Sequence, residues 1–390
     1  MQFLSFKVPG VPVSVNVSCF RGQDGTDEYH LSLVPSRLES FEVQLDWLSR
    51  SYLHVLDELG IEPETVVFRR LFCSDLPNQA PLLEKSSFPG TANQPGSCAV
   101  SLVCQPPGPL ARISLWAYHV CRSAGKKKEK SNSISRGRDG LTHYWTTGVT
   151  CPASEIVYEQ TLGILEKYDS FLRAHGMSMA DNVMRTWFFI QNIDVNYRGF
   201  VAARKEFFCS HGLTEKTHFI ASTGVQGSHS DVNAKVTMDA YAVSGLSSGQ
   251  VRFLAAPEHL SSTSVYGVTF ERGTSVTYRD RKHVIISGTA SIDGKGNILH
   301  HGDVMRQLDR TTENIEALLE QAGATLKDMA SFIVYVRDPV DHVPVFDKMR
   351  ERFPDTPMVG GWAPVCRPGW LVEVEGMAVI PAANPGLPAF

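Results

Sequence analysis

The 390-residue sequence predicts an α+β fold built as three tandem units of about 130 residues each, on three repeated observations. Amphipathic segments stop three times at a glycine, in LDELG (56–60), LRAHG (172–176) and LEQAG (319–323). After each stop an apolar strand runs to an aspartate: ETVVFRRLFCSD (64–75), NVMRTWFFIQNID (182–194) and MASFIVYVRD (329–338). Each unit then closes on a strand, and the three align as SLWAYHV (114–120), TMDAYAV (237–243) and EVEGMAV (373–379).

The helices expected before the stops span 39–59, 153–175 and 303–322. In the third, Val304, Leu308, Thr311, Ile315, Leu318 and Leu319 recur at spacings of three and four, so one face packs on a sheet. Gly60, Gly176 and Gly323 fit the left-handed position that ends a helix. The strands that follow are rich in β-branched and aromatic residues, and their terminal aspartates suit a turn or a helix cap. Second helices are expected near 198–210 and 340–352, whereas the first copy carries the Pro- and Gly-rich SSFPGTANQPG (86–96) there and reads as degenerate. The polar stretch GKKKEKSNSISRGRDG (125–140) reads as a solvated loop or linker, and a second irregular stretch lies near 244–263. The expected division is a degenerate unit over 1–124, a linker over 125–140, a second unit over 141–245 and a third over 246–390.

Composition narrows the function classes. Hydrophobic residues make up 43% and charged residues 20%, with a net charge of −4, which disfavours a dedicated nucleic-acid or anionic-membrane partner. No apolar run approaches the ~20 residues of a membrane span, and the opening MQFLSFKVPGVPVSV lacks the pattern of a secretory leader, so a cytoplasmic location is expected. The eight cysteines include no CxxC and the histidines no HExxH, so neither a structural metal nor a disulfide framework is expected.

The third unit carries SGTASIDGKGNILHHGDVMRQLDRTTENI (287–315) and, later, LVEVEGMAV (371–379). These motifs resemble the Rid/YjgF superfamily, whose small units have a chorismate-mutase-like fold and assemble as trimers with clefts between subunits. The resemblance implies that three such units in one chain form an intrachain pseudo-trimer, monomeric as a chain, with further self-association left open. Deaminases of that family use an arginine upstream of the VExE strand; here the region is TPMVGGWAP (356–364) and has none. A closer resemblance is to the chorismatases, through SGTASID, HHGDV, CRPGWLVEVEG (366–376), FERG (270–273) and RTWFFIQNIDVNYRGFVAARKEFF (185–208). The stretch VYGVTFERG (265–273) departs from the Pro-rich, Arg-bearing loop of that family.

The resemblance implies a cofactor-independent hydrolase or lyase that acts on chorismate or a similar carboxylated enol ether and releases pyruvate at a cleft between the second and third units. The alternatives are a Rid-type imine or enamine deaminase and a non-catalytic metabolite-binding scaffold. A dicarboxylate substrate calls for guanidiniums, whose fork suits a carboxylate; Arg272 is the expected clamp, with Arg185 or Arg204 as the second. Glu373 is the expected general acid: its neighbours Leu371, Val372 and Val374 desolvate it, and Glu375, two residues on along the strand, shares its face. The other two copies hold Ser114 and Thr237 at the Glu373 position and Trp116 and Asp239 at the Glu375 position, so one cleft in three is expected to be live. Cys366, seven residues before Glu373, resembles the cysteine of chorismatases that form a hydroxybenzoate, where it is implicated in an intramolecular outcome. Tyr197, Tyr266 and Glu375 are expected to line the pocket and bind substrate.

Overall fold

In a computed structural model the chain forms three six-stranded sheets among the described residues, which are 1–86, 88, 98–122, 126–130, 132–263 and 267–390. The first sheet contains β1 (Gln2–Lys7), β2 (Val13–Arg21), β3 (Asp27–Pro35), β4 (Val66–Cys73), β5 (Ala99–Cys104) and β6 (Ile113–Cys121), with α1 (Phe41–Leu59) following β3 and α2 (Leu76–Lys85) following β4. The second contains β7 (Lys126–Lys130), β8 (Ser133–Arg138), β9 (Leu141–Val149), β10 (Val183–Ile190), β11 (Ala221–Gln226) and β12 (Val236–Ser244), with α3 (Val157–Arg173), a short α4 (Met179–Asn182) and α5 (Ile193–Ser210). The third contains β13 (Val251–Leu254), β14 (Gly273–Thr277), β15 (Arg281–Ala290), β16 (Met329–Val336), β17 (Met358–Trp362) and β18 (Val372–Pro381), with α6 (Val304–Ala322) and α7 (His342–Arg352).

Strand order is the same in every unit: β1-β2-β3-β6-β4-β5, β7-β8-β9-β12-β10-β11 and β13-β14-β15-β18-β16-β17. The last pair in each is parallel and the rest are antiparallel. A parallel pair needs a crossover connection, and α2, α5 and α7 supply it. Each central strand carries one irregularity, at Val66/Phe68, Val183/Arg185 and Met329/Ser331. Counted from it, Ser114, Thr237 and Glu373 face Phe72, Phe189 and Tyr335 across the ladder, and Trp116, Asp239 and Glu375 face Arg70, Trp187 and Ile333. The alignment of the three closing strands is therefore structural as well as textual.

The units close on one another: β5 packs on β9, β11 on β15 and β17 on β3. The inner faces of the three sheets share one core, to which Phe68 and Trp116, Trp145 and Phe189, and Ile285 and Ile333 contribute from successive units. Helices cover the outer faces; α1 buries Leu45, Leu48, Tyr52 and Val55 against the first sheet. Gly60 and Gly323 end α1 and α6 in the left-handed conformation, at φ 62° and 77°. Gly176 is left-handed too, at φ 68°, but lies beyond the residue that caps α3, Ala174.

Three expectations need correction. Most of 125–140 is not a linker but the hairpin β7–β8, with Lys126 opposite Gly137, and it extends the second sheet. β7 is the outermost strand of that sheet, and its sequence, KKKEK, carries no apolar alternation. The stretch near 244–263 likewise contains β13, the edge strand of the third sheet. The first unit also has its second helix: α2 starts with proline near its N-terminus, where the missing N–H costs no helix bond, and carries Pro81 within its ten residues. Much of SSFPGTANQPG lies outside the described residues. Among the described residues no helix is long and apolar enough to cross a membrane, and no cluster of three or more His, Cys, Asp or Glu side chains could hold a metal ion.

Candidate active site

β18 carries Glu373 and Glu375 on the face turned toward the second unit, as the alternation of a strand requires. The two carboxyls nonetheless meet different surroundings.

Glu375 is 1% exposed and saturated. It accepts from Arg185 Nη2 and Thr223 Oγ1 at close range, from Trp187 Nε1 at 2.9 Å and from Tyr335 OH at 3.0 Å. Arg70 of the first unit bonds Asp239 of the second at 2.8 Å and brings Nη1 to 4.0 Å from Glu375. Arg185 and Glu375, both expected to bind substrate, thus hold each other across the unit boundary and do not line the cleft.

Glu373 opens into a cleft lined by Tyr197, Arg204 and Ser222 to Gly224 from the second unit and by Phe270, Arg272, Gly288, Ala290, Cys366 and Trp370 from the third. The open space is about 420 Å³, counting the part continuous with solvent, with about 30 Å³ free for the centres of water-sized atoms. Among the described residues nothing hydrogen-bonds or ion-pairs with the Glu373 carboxyl. Burial pushes its pKa up to about 8 and the neighbouring Glu375 adds to the rise, against the opposing pull of Arg185 and Arg272. At neutral pH it is a protonated acid. Gly288 makes room for it: a Cβ there would sit 2.0 Å from Glu373 Oε1.

The guanidiniums come from opposite walls. Arg272, at the start of β14, donates from Nη2 to the carbonyl of Ser261 at 3.0 Å and lies over Phe270. Arg204 projects from the buried face of α5, seven residues after Tyr197, so the two share a helix face. Its Nε donates to Thr269 Oγ1 at 3.2 Å, and its guanidinium stacks on Phe200 at 4.8 Å. Cys366 is held at the unit boundary by the bridge between Val225 and Val365. Burial, then the charge of Glu373, pushes its thiol up to about 12, against a hydrogen bond with Tyr197, so it is not a thiolate at neutral pH.

The structure therefore brings together Glu373, Cys366, Arg272, Arg204 and Tyr197, and separates Arg185 and Glu375 from them; Tyr266 lies outside the described residues. Sequence reasoning missed Gly288, Phe270 and Trp370 as lining residues. Each sits inside a motif already singled out (SGTASID, FERG, CRPGW), but glycine and aromatics in strands serve the core so often that spacing alone does not select them. Trp370 is fixed by its Nε1 bond to the Ser291 carbonyl at 3.1 Å.

Residues 274–380 match the Endoribonuclease L-PSP family model. The chain is 29% identical over 274 residues to a 3-hydroxybenzoate synthase of Streptomyces hygroscopicus, covering 62% of this chain and 77% of that one. It is 28% identical over 97 residues to the 3-aminoacrylate deaminase RutC of Acinetobacter baylyi, covering 24% and 77%. Among solved structures, a chorismatase superposes with a TM-score of 0.59 at 20% identity, over 81% of this chain and 93% of that chain. The family match lies in the third unit, and the three repeated units share their fold with that solved structure. These likenesses support a relationship to the Rid superfamily and, within it, to the chorismatases.

Proposed function

We propose that this chain is a chorismate-processing enzyme in which Glu373 is the general acid at the cleft between the second and third units. The observation that carries the reading is a buried carboxyl that keeps its proton at neutral pH while facing a cleft with two guanidiniums. Chorismate has two carboxylates and an enol ether. Arg272 and Arg204 supply planar donors for the carboxylates from the two walls. Glu373 protonates the enol-ether methylene, the adjacent carbon becomes oxocarbenium-like, and water adds to it. The carboxylate left on Glu373 takes the proton released by that water. The hemiketal then collapses to pyruvate and a dihydrodiol, and no cofactor enters the balance.

The names of the relatives support the choice of substrate: one is a 3-hydroxybenzoate synthase and one a chorismatase. Cys366 favours the hydroxybenzoate outcome in the finer reading. As a neutral thiol beside Glu373 it is a small wall that steers the cation toward an intramolecular course rather than an attacking nucleophile. Imine deamination is the weaker reading because 356–364 carries no arginine.

The test is incubation of the purified chain with chorismate while pyruvate and aromatic products are followed. The expected result is pyruvate release that falls ~10²–10⁴-fold in Glu373→Gln, the range of a general acid. No pyruvate from the wild type rejects the substrate; an unimpaired Glu373→Gln rejects the acid.

A further inference from the structure

A second cavity lies where the inner faces of the three sheets meet, further along the same face of β18 from the cleft, with Glu375 in its wall. Its walls are mainly aromatic, with Phe68, Trp116, Trp145 and Trp187 among them, and they also include His30 and Arg185. The open space is about 610 Å³, and about 60 Å³ of it is free for the centres of water-sized atoms. One ordered water needs ~10–15 Å³ by that measure, so the chamber has room for an occupant.

Three side chains that line it are at least nine-tenths buried and carry polar atoms with no hydrogen-bond partner among the described residues. They are His30, at Nδ1 and Nε2; Trp116, at Nε1; and Arg185, at Nε and Nη1. Arg185 gives only Nη2 to Glu375 and Thr223. The inventory is one-sided. Trp116 Nε1 and both arginine nitrogens can only donate, and a neutral imidazole offers one donor and one acceptor. Burial pushes His30 down to about 4, so its ring is neutral at pH 7. Four donors therefore face a single acceptor. Water would find, besides the imidazole nitrogen, only the Glu375 carboxylate, which already accepts four hydrogen bonds, whereas an ion that only accepts matches the unpaired set.

We propose that this axial chamber is a binding site for a small monovalent anion, a halide or a short carboxylate such as formate, held by Arg185, Trp116 and His30. The site needs all three units. In the matched registers Phe68, Arg185 and Ser331 occupy one position, as do His30, Trp145 and Ile285, and Trp116 shares its position with Asp239 and Glu375. Divergence of the repeats has placed one guanidinium, one indole N–H and one imidazole around a common point. The two arginines nearest it, Arg70 and Arg185, are matched by Asp239 and Glu375, so the anion is held by donors rather than by a large net charge.

The probe is bromide. Crystals of the full chain grown in sodium bromide should show an anomalous peak within hydrogen-bond distance of Trp116 Nε1 and Arg185 Nε. In solution, bromide against gluconate at constant ionic strength should raise the thermal midpoint saturably. Trp116→Phe, which keeps a ring and removes the donor, should weaken half-saturation by about tenfold. Formate substituted for bromide distinguishes the two sources of the same chemistry. Chamber density that is water alone overturns the proposal, as does a bromide response unchanged in Trp116→Phe; the wild-type crystal decides the matter if that variant fails to fold.

Discussion

The cleft between the second and third units and its two counterparts share one scaffold and differ in chemistry. Where the third unit has Glu373, the second has Thr237 and the first Ser114. One strand further, Arg272 precedes Gly273, which lies opposite Ile286; the same register places Asn132 before Ser133 in the second unit and Asn16 before Val17 in the first. The counterparts thus lack both the acid and its guanidinium, while their sheets keep the same order and irregularities. Neither residue is a requirement of the fold. A carboxyl kept buried at a cost in desolvation, where serine and threonine suffice elsewhere, supports the role proposed for Glu373.

The largest test of that contrast lies at the boundary itself. Glu375→Leu leaves Arg185 buried without its partner and should lower unfolding free energy by ~3–5 kcal/mol, read from denaturant midpoints. Arg185→Met in the same chain should recover part of the loss. If Glu375→Leu is neutral, the ion pair is not what joins the second and third units. Arg272→Asn makes the third cleft match the other two at that position, and kcat/KM for chorismate should drop by about 100-fold through the loss of a charge-assisted pair. An unchanged KM and kcat would remove Arg272 from the clamp.

The third test concerns pH. The pKa of Glu373 rises from an ordinary value near 4.5 to about 8, so between these values the folded chain holds a proton that the unfolded chain has lost. Stability contributed by the protonated form therefore falls as pH rises across this window and is lost above it. Glu373→Gln should unfold at a temperature close to wild type at pH 4 and above it at pH 9, the gap widening across the window between the two values. Turnover of the wild type should decline as pH passes about 8, the value at which the acid ionises. A difference between variant and wild type that does not change with pH would place Glu373 in an unshifted environment.

The repeat and the position of Glu373 were legible in the sequence because both rest on local patterns: glycine stops, strands that end in aspartate, and closing strands that align. Arg272, Arg204, Tyr197 and Cys366 were legible through motif resemblance, and the structure gathers them in one cleft. The fate of Arg185 was not. Its partner Glu375 is 190 residues away, and only the packing of one sheet edge on the next unit decides that the guanidinium turns to Glu375 rather than to the cleft. The β7–β8 hairpin was missed for a different reason. The sequence of 125–140 is charged and polar with no apolar alternation, so it resembles a loop.

Gly288 ties two distant positions of the chain together. The Glu373 carboxyl occupies the volume that any side chain at 288 would fill, so the acid and the glycine depend on each other. The second unit has Gly148 at the matching place in the same irregularity, beside Thr237. Gly148, however, is left-handed at φ 62°, and a Cβ there would meet nothing within 4 Å, so that glycine answers to the backbone turn, whereas Gly288 answers to the carboxyl packed against it.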